Sequence, residues 1–96
     1  MYPIDHKDKI IKIIEMFYPK AKIYLFGSYA RGDATRSSDI DIAIDNGEIL
    51  DIITPQRIRE MIDVLGLAQK VDVVDFHRAP EALRKNILKD GVLWKS

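Results

Sequence analysis

The run of residues 39–45 constrains the fold of this chain most, because aspartate and isoleucine alternate along it until Ala43. It reads Asp-Ile-Asp-Ile-Ala-Ile-Asp, and this alternation is typical of a β-strand with two different faces. The isoleucines predict a buried face, so we expect Asp39 and Asp41 to face a cleft or solvent. Residues two apart on a strand point the same way, and the Cα atoms of these two lie about 6–7 Å apart.

An Asp-x-Asp pair of this kind has two interpretations. The first is that it forms only the hydrated face of an amphipathic strand, and for an isolated pair this is the common case. The second is a metal site, because aspartate is a poor strand former and two carboxylates on one face repel each other unless a cation lies between them. Magnesium suits such a site, since a few carboxylates, waters and phosphate oxygens complete its coordination.

The segment before the pair favours the metal site. Gly27 and Ser28 follow an apolar run, residues 21–26, that predicts a strand, and they lead into a short helical turn. Glycine lets the backbone approach a phosphate closely, and a serine hydroxyl and the N–H groups of a helix start can hold phosphate oxygens. Arg31 and Arg36 could offset triphosphate charge; the alternative for each is an ordinary ion pair. The Gly-Lys-Ser/Thr of a P-loop is absent, which argues against a P-loop NTPase.

A third acid is expected in the strand predicted at residues 71–76. Asp72 shares a face with Val74, so its surroundings are partly apolar, and metal binding or general-base work would explain an acid there. The alternative for Asp72 is a salt bridge with a nearby lysine or arginine. Asp75 is the competing third acid, and it falls on the opposite face of the same strand. The spacing favours Asp72 only slightly.

The periodicity of the whole chain predicts the order α-β-turn-β-α-β-α-β. This order indicates an α/β (α+β) fold with a small mixed β-sheet and helices packed against it. Asp5 is the expected N-cap of the first helix. A length of 96 residues suits one compact domain, so we expect a single domain over residues 1–96.

Composition narrows the classes of function. Lysine plus arginine equals aspartate plus glutamate at 15 each, and a chain that binds nucleic acid strongly on its own usually has a basic excess. Cysteine is absent, which excludes disulfides, thiolate zinc sites and cysteine nucleophiles. No apolar run reaches the roughly 18 residues of a membrane span, and the N-terminus lacks a signal-peptide pattern. We therefore expect a cytoplasmic protein without membrane association.

Together these motifs resemble those of the nucleotidyltransferase superfamily related to DNA polymerase β, and in particular its minimal nucleotidyltransferases. The signature of that group is Gly-Ser, about ten residues, then Asp-x-Asp; here Gly27-Ser28 is followed by ten residues and by Asp39-Ile40-Asp41. Four later segments are also similar to this group, so that the resemblance covers nearly the whole chain: 71–75, 78–80, 83–84 and 87–91.

The resemblance implies a nucleotidyltransferase fold and a role for each matched position. Gly27 and Ser28 would bind the triphosphate of ATP, the substrate. Asp39 and Asp41 would bind two Mg²⁺ ions, with Asp72 as third carboxylate and as the group that accepts the proton of the attacking hydroxyl. The reaction implied is in-line attack on the α-phosphate, with transfer of AMP and release of pyrophosphate.

Family members of this size in prokaryotes are typically the antitoxin paired with a HEPN-domain toxin, which implies transfer of AMP to a tyrosine of that toxin. The partner would then supply the acceptor surface, in a hetero-oligomer with the toxin; a homo-oligomer is also open. Two alternatives are an inactive module of this fold that neutralises its toxin by contact, and a transferase acting on a small molecule or RNA. The intact Gly-Ser and the three candidate acids favour the enzyme.

Overall fold

The computed structural model describes residues 6–35 and 37–96 of the chain. Asp5 and Arg36, to which the sequence assigned roles, lie outside these residues. The helices and strands follow the predicted order: α1 Lys7–Phe17, β1 Lys22–Phe26, α2 Ser28–Arg31, β2 Ile40–Asp45, α3 Ile53–Asp63, β3 Val71–Asp75, a 3₁₀ turn Phe76–Arg78, α4 Glu81–Asp90 and β4 Val92–Lys95.

The four strands form one mixed sheet in the order β3-β2-β1-β4. Strand β1 pairs antiparallel with both β2 and β4, whereas β2 and β3 run parallel. A parallel pair needs a crossover connection, and α3 supplies it between β2 and β3. The predicted small mixed sheet with packed helices is therefore confirmed.

The main hydrophobic core lies on the face of the sheet that α1 and α3 cover. The three isoleucines of β2, at positions 40, 42 and 44, are buried there against Ile10 and Ile14 of α1 and Ile58 and Ile62 of α3. Burying a side chain of this size contributes about 1.5–3 kcal/mol, so the apolar half of the alternation in residues 39–45 anchors β2 in the middle of the molecule.

The opposite face of β2 is covered in its middle. Ala43 is buried with Phe76 of the 3₁₀ turn and Ile87 of α4 in a second, smaller apolar cluster. The middle of this face is therefore closed, because α4 packs back onto the sheet there. The expectation that Asp39 and Asp41 face a cleft or solvent concerns the other end of the face, where Asp39 is exposed and Asp41 is half-buried.

Within the described residues, no helix has the length and apolar character required to cross a membrane.

The core predicts a clear contrast between two isoleucines of α3. Ile58 is fully buried, whereas Ile53 is 62% exposed. We expect Ile58→Ala to lower the free energy of unfolding by about 2–4 kcal/mol, since it removes buried methyl groups and leaves a cavity. The matched Ile53→Ala should change it by less than about 0.5 kcal/mol. Urea denaturation measures both, and equal losses would show that this face of α3 is not the packed one.

Candidate active site

Pairing of the strands brings the predicted acids to one end of the sheet. Asp41 lies opposite Phe26 of β1 and, on its other side, opposite Asp72 of β3. Gly27 follows Phe26 directly, and Asp39 precedes the first residue of β2. The structure therefore places Gly27, Asp39, Asp41 and Asp72 in one neighbourhood, as the sequence predicted.

Gly27 lets the chain pass directly against Asp41. Its backbone has φ 75° and ψ −153°, a conformation that is essentially restricted to glycine. A Cβ atom at this position would overlap Oδ2 of Asp41. Ser28 then begins α2, and its carbonyl accepts a hydrogen bond of 3.1 Å from the N–H of Asp33. The Gly-Ser pair is thus a tight turn whose backbone touches the central acid of the site.

The charge around Asp41 is predominantly negative. Burial raises the pKa of the Asp41 carboxyl above its usual value of 3.8, and the charges of Asp72 and then Asp39 raise it further. Arg31 acts in the opposite direction and lowers this pKa. The site therefore holds more carboxylate charge than Arg31 offsets, and a bound cation would favour the ionised form of all three acids.

The two acids of β3 have different surroundings. The side chain of Asp72 is 45% exposed, and its Oδ1 lies 3.7 Å from Nη2 of Arg59. The alternative considered for Asp72, an ion pair with a nearby arginine, is thus present, and it leaves almost half of the side chain accessible. Arg59 itself was missed by the sequence analysis, because its contact with Asp72 depends on how α3 packs against β3.

Asp75 has a structural role, because both of its carboxylate oxygens accept hydrogen bonds from backbone N–H groups. It lies on the Ile44 side of the sheet and is only 7% exposed. Its Oδ2 accepts a hydrogen bond of 2.8 Å from the N–H of Leu50, and its Oδ1 accepts one of 3.0 Å from the N–H of His77. These bonds attach the loop after β2 to the end of β3, on the side of the sheet away from Asp41. Of the two acids, only Asp72 is available to the site.

The three remaining acids provide a donor set that fits a hard divalent cation. Carboxylate oxygens are the ligands that Mg²⁺ takes from proteins, with waters and substrate phosphates completing its coordination. Across residues 6–35 and 37–96, no three acidic or histidine side chains are gathered into a ready-made metal-binding group. The raised pKa of Asp41 shows that Asp39 and Asp72 nevertheless act on it electrostatically.

The negative site should cost the protein stability. Because the pKa of folded Asp41 is raised, the folded state binds this proton more tightly than the unfolded state. Ionised Asp41 therefore destabilises the fold, increasingly as pH rises above its usual acid range, and in full at neutral pH. We expect Asp41→Asn to raise the melting temperature at pH 7 in EDTA by a small amount, since solvent screens a half-exposed group.

Differential scanning calorimetry between pH 4 and pH 8 measures this difference. The gain from Asp41→Asn should shrink as the pH falls through the raised pKa of Asp41, because a growing fraction of wild-type Asp41 is then protonated. An equal gain at all pH values would show that charge repulsion is not its cause. Asp33→Asn is the matched control, because Asp33 lies in the adjacent loop, is exposed and pairs with Arg31 at 3.4 Å.

Comparison with known proteins identifies relatives among the nucleotidyltransferases. Residues 8–96 match the family of polymerase beta nucleotidyltransferases. The protein adenylyltransferase MntA of Shewanella oneidensis is 37% identical over 91 residues, which are 93% of this chain and 65% of that protein. This chain thus spans just under two thirds of the length of that relative.

Two solved structures share the fold. A toxin–antitoxin complex with AMP-PNP superposes with a TM-score of 0.79 at 36% identity, over 94% of this chain and 73% of its counterpart. A complex of a tri-AMPylated HEPN toxin with its MNT antitoxin, from Shewanella oneidensis, gives 0.72 at 32% identity, over 95% and 71%. The family match over residues 8–96, with the acids and the Gly-Ser turn at one end of the sheet, shows that this chain belongs to the polymerase beta nucleotidyltransferases, in agreement with the prediction of a minimal nucleotidyltransferase.

Proposed function

We propose that this protein transfers AMP from ATP to a tyrosine hydroxyl of a partner HEPN toxin and thereby acts as its antitoxin. The observation that carries the proposal is the register that sets Asp41 opposite Asp72, beside the Gly27 turn. Support for the acceptor comes from the relatives: one is named a protein adenylyltransferase, and in one complex the HEPN toxin is tri-AMPylated. The AMP-PNP complex supports an adenine nucleotide as substrate.

Two Mg²⁺ ions, held by Asp39, Asp41 and Asp72, are part of the proposal. A pair of divalent ions would neutralise the phosphate charge and stabilise the attacking and leaving oxygens. The excess negative charge around Asp41 supports this assignment, because it is relieved when cations bind.

The Gly-Ser turn and Arg31 are assigned to the nucleotide. Gly27 lets the backbone approach the phosphates without a side chain in the way, and Ser28 offers its hydroxyl to a phosphate oxygen. Arg31, whose charge reaches Asp41, would offset part of the triphosphate charge. Arg36 is outside the described residues, and its contact with phosphate stays a prediction.

The chemical step assigned to this site is in-line displacement at phosphorus. The tyrosine oxygen forms a bond to the α-phosphorus of ATP, and the bond from that phosphorus to the oxygen bridging to the β-phosphate breaks, so that pyrophosphate leaves. The proton of the hydroxyl passes to Asp72, which is part-exposed and can meet an acceptor from outside. A protein partner supplies that acceptor, and the tri-AMPylated HEPN toxin of the related complex supports this assignment.

A single domain over residues 1–96 and a cytoplasmic location also stay predictions. Both suit an enzyme whose acceptor is another protein, and neither bears on the chemistry proposed for the acids.

The proposal predicts that, when Mg²⁺ is present, label from ATP labelled at the α-phosphate moves to a partner HEPN toxin. The double variant Asp39→Asn/Asp41→Asn should lose transfer by a factor of about 10³ or more, since several kcal/mol of charge stabilisation depend on the metals. Autoradiography of the separated proteins detects the transfer. If the double variant still binds and neutralises the toxin and the wild type transfers no label, a contact-only antitoxin replaces this proposal.

The third acid is tested by two matched substitutions on β3. Asp72→Asn should lower kcat by about 10²–10⁴-fold, the range typical of a lost general base, with the melting temperature almost unchanged. Asp75→Asn should instead lower the melting temperature, because it disturbs the buried hydrogen bonds from Leu50 and His77. Its kcat, measured below the melting temperature, should fall less. Equal losses of kcat in the two variants would show that the third acid is wrongly assigned.

A further inference from the structure

Arg59 lies on the side of α3 that packs against β3, the strand that carries Asp72. Its Nη2 donates a hydrogen bond of 2.9 Å to the carbonyl of Val73 and lies 3.7 Å from Oδ1 of Asp72. The same nitrogen thus contacts the backbone of β3 and faces the carboxylate of the preceding residue. A charged group fixed to the strand beside a site acid is in a position to control that acid.

The carbonyl that holds Arg59 points away from the sheet. The N–H of Ile40 donates a hydrogen bond to the carbonyl of Lys70, the residue before β3. Backbone groups of alternate residues point to the same side of a strand, so those of Asp72 and Val74 also point towards β2. Val73 is one of the residues in between, and β3 is the outer strand on this side. Its carbonyl therefore has no partner strand in the described part of the chain to accept from, and it accepts the hydrogen bond from the guanidinium of Arg59 instead.

The guanidinium of Arg59 is held at one nitrogen, by the hydrogen bond of Nη2 to the carbonyl of Val73. The side chain of Arg59 is 38% exposed. Its Nε is buried and has no hydrogen-bond partner among the described residues. A surface arginine would normally swing outward to hydrate such a group, because a buried donor without a partner costs about 1–3 kcal/mol. The bond to Val73 and the packing of α3 hold it inward, next to Asp72.

Asp72 has a negative neighbour on its other side. Asp41 and Asp72 lie directly opposite in the β2–β3 register, and like charges in this relation repel each other. Without an opposing charge, the carboxylate of Asp72 would be driven towards solvent and away from the site. Arg59 offers that charge from a fixed point on the far side of Asp72.

We propose that Arg59 is a positioning residue that holds the carboxylate of Asp72 in one orientation beside Asp41. It contacts no substrate and acts only through Asp72. This inference rests on the proposed function, because it assigns Arg59 the task of keeping the third acid in place for the nucleotide and its metals. The ion pair with Asp72 is then part of the active site, in addition to any contribution it makes to stability.

The test compares Arg59→Met and Arg59→Lys with the control Arg57→Met in the toxin-labelling assay. Methionine keeps much of the length of arginine without its charge, and Arg57 is exposed on the other side of the same helix, beside Phe17 and Met61. We expect Arg59→Met to lower kcat about 10-fold, as the loss of a group that orients a ligand does, with the KM for ATP changed less than about 2-fold. Arg59→Lys should recover part of kcat, and Arg57→Met should match the wild type.

A double-mutant cycle separates positioning from plain stabilisation. In the Asp72→Asn background, Arg59→Met should have no further effect on kcat, because its route to the reaction is already removed. An additive loss would overturn the proposal. Equal kcat losses in Arg59→Met and Arg59→Lys would also overturn it, since only lysine keeps the charge. If Arg59→Met fails to fold, the same cycle is run with Arg59→Lys.

A second measurement needs neither toxin nor turnover. The rise in melting temperature caused by Mg²⁺ and AMP-PNP should require about 10-fold more Mg²⁺ in Arg59→Met than in the wild type, and an unchanged requirement would count against the proposal. The two proposals fail separately: if the wild type transfers no label to the toxin, the proposed function is wrong, and if Asp39→Asn/Asp41→Asn retains transfer, the assignment of these acids is wrong. If that variant is inactive but Arg59→Met keeps the wild-type kcat, only the role of Arg59 is wrong.

Discussion

The parallel pairing of β2 with β3, in the register that sets Asp41 opposite Asp72, is the constraint on which the rest of this structure depends. Parallel strands cannot be joined by a tight turn, so the chain must cross over, and α3 is that crossover. The helix brings two things to the sheet: Ile58 and Ile62 for the core, and Arg59 for the outer side of Asp72. The crossover helix α3 thus contributes both to the hydrophobic core and to the site.

The like charges of the site destabilise the folded protein. Asp39, Asp41 and Asp72 collect negative charge where the sheet is partly buried, and the raised pKa of Asp41 reflects this. Gly27 adds a backbone conformation that other residues rarely adopt. A sequence selected for stability alone would avoid both features, and such local conflicts are expected at functional sites. Binding of a cation with a nucleotide would remove the repulsion and return stability to the complex.

Two aspartates three residues apart on β3 show how one strand serves two purposes. Asp72 faces the site with its Oδ1 3.7 Å from Nη2 of Arg59, whereas Asp75 is buried and holds the loop after β2 through Leu50. The far end of β2 is tied in a similar way, because Nε2 of His77 lies 2.6 Å from Oδ1 of Asp45. These contacts join the distal end of the sheet to the loop after β2 and to the 3₁₀ turn, whereas Asp41 at the other end stays half-buried.

The sequence by itself determined the order of helices and strands, the buried face of β2 and the glycine turn that precedes Asp39 and Asp41. These features follow from local rules: the two-residue period of a strand, the spacing of apolar residues on helices, and the backbone freedom of Gly27. Tertiary structure alone decided that α4 covers Ala43, that Asp75 is structural and that Arg59 reaches Asp72. Each of these joins segments distant in the sequence, and their contacts depend on strand order and helix packing, which local patterns do not encode.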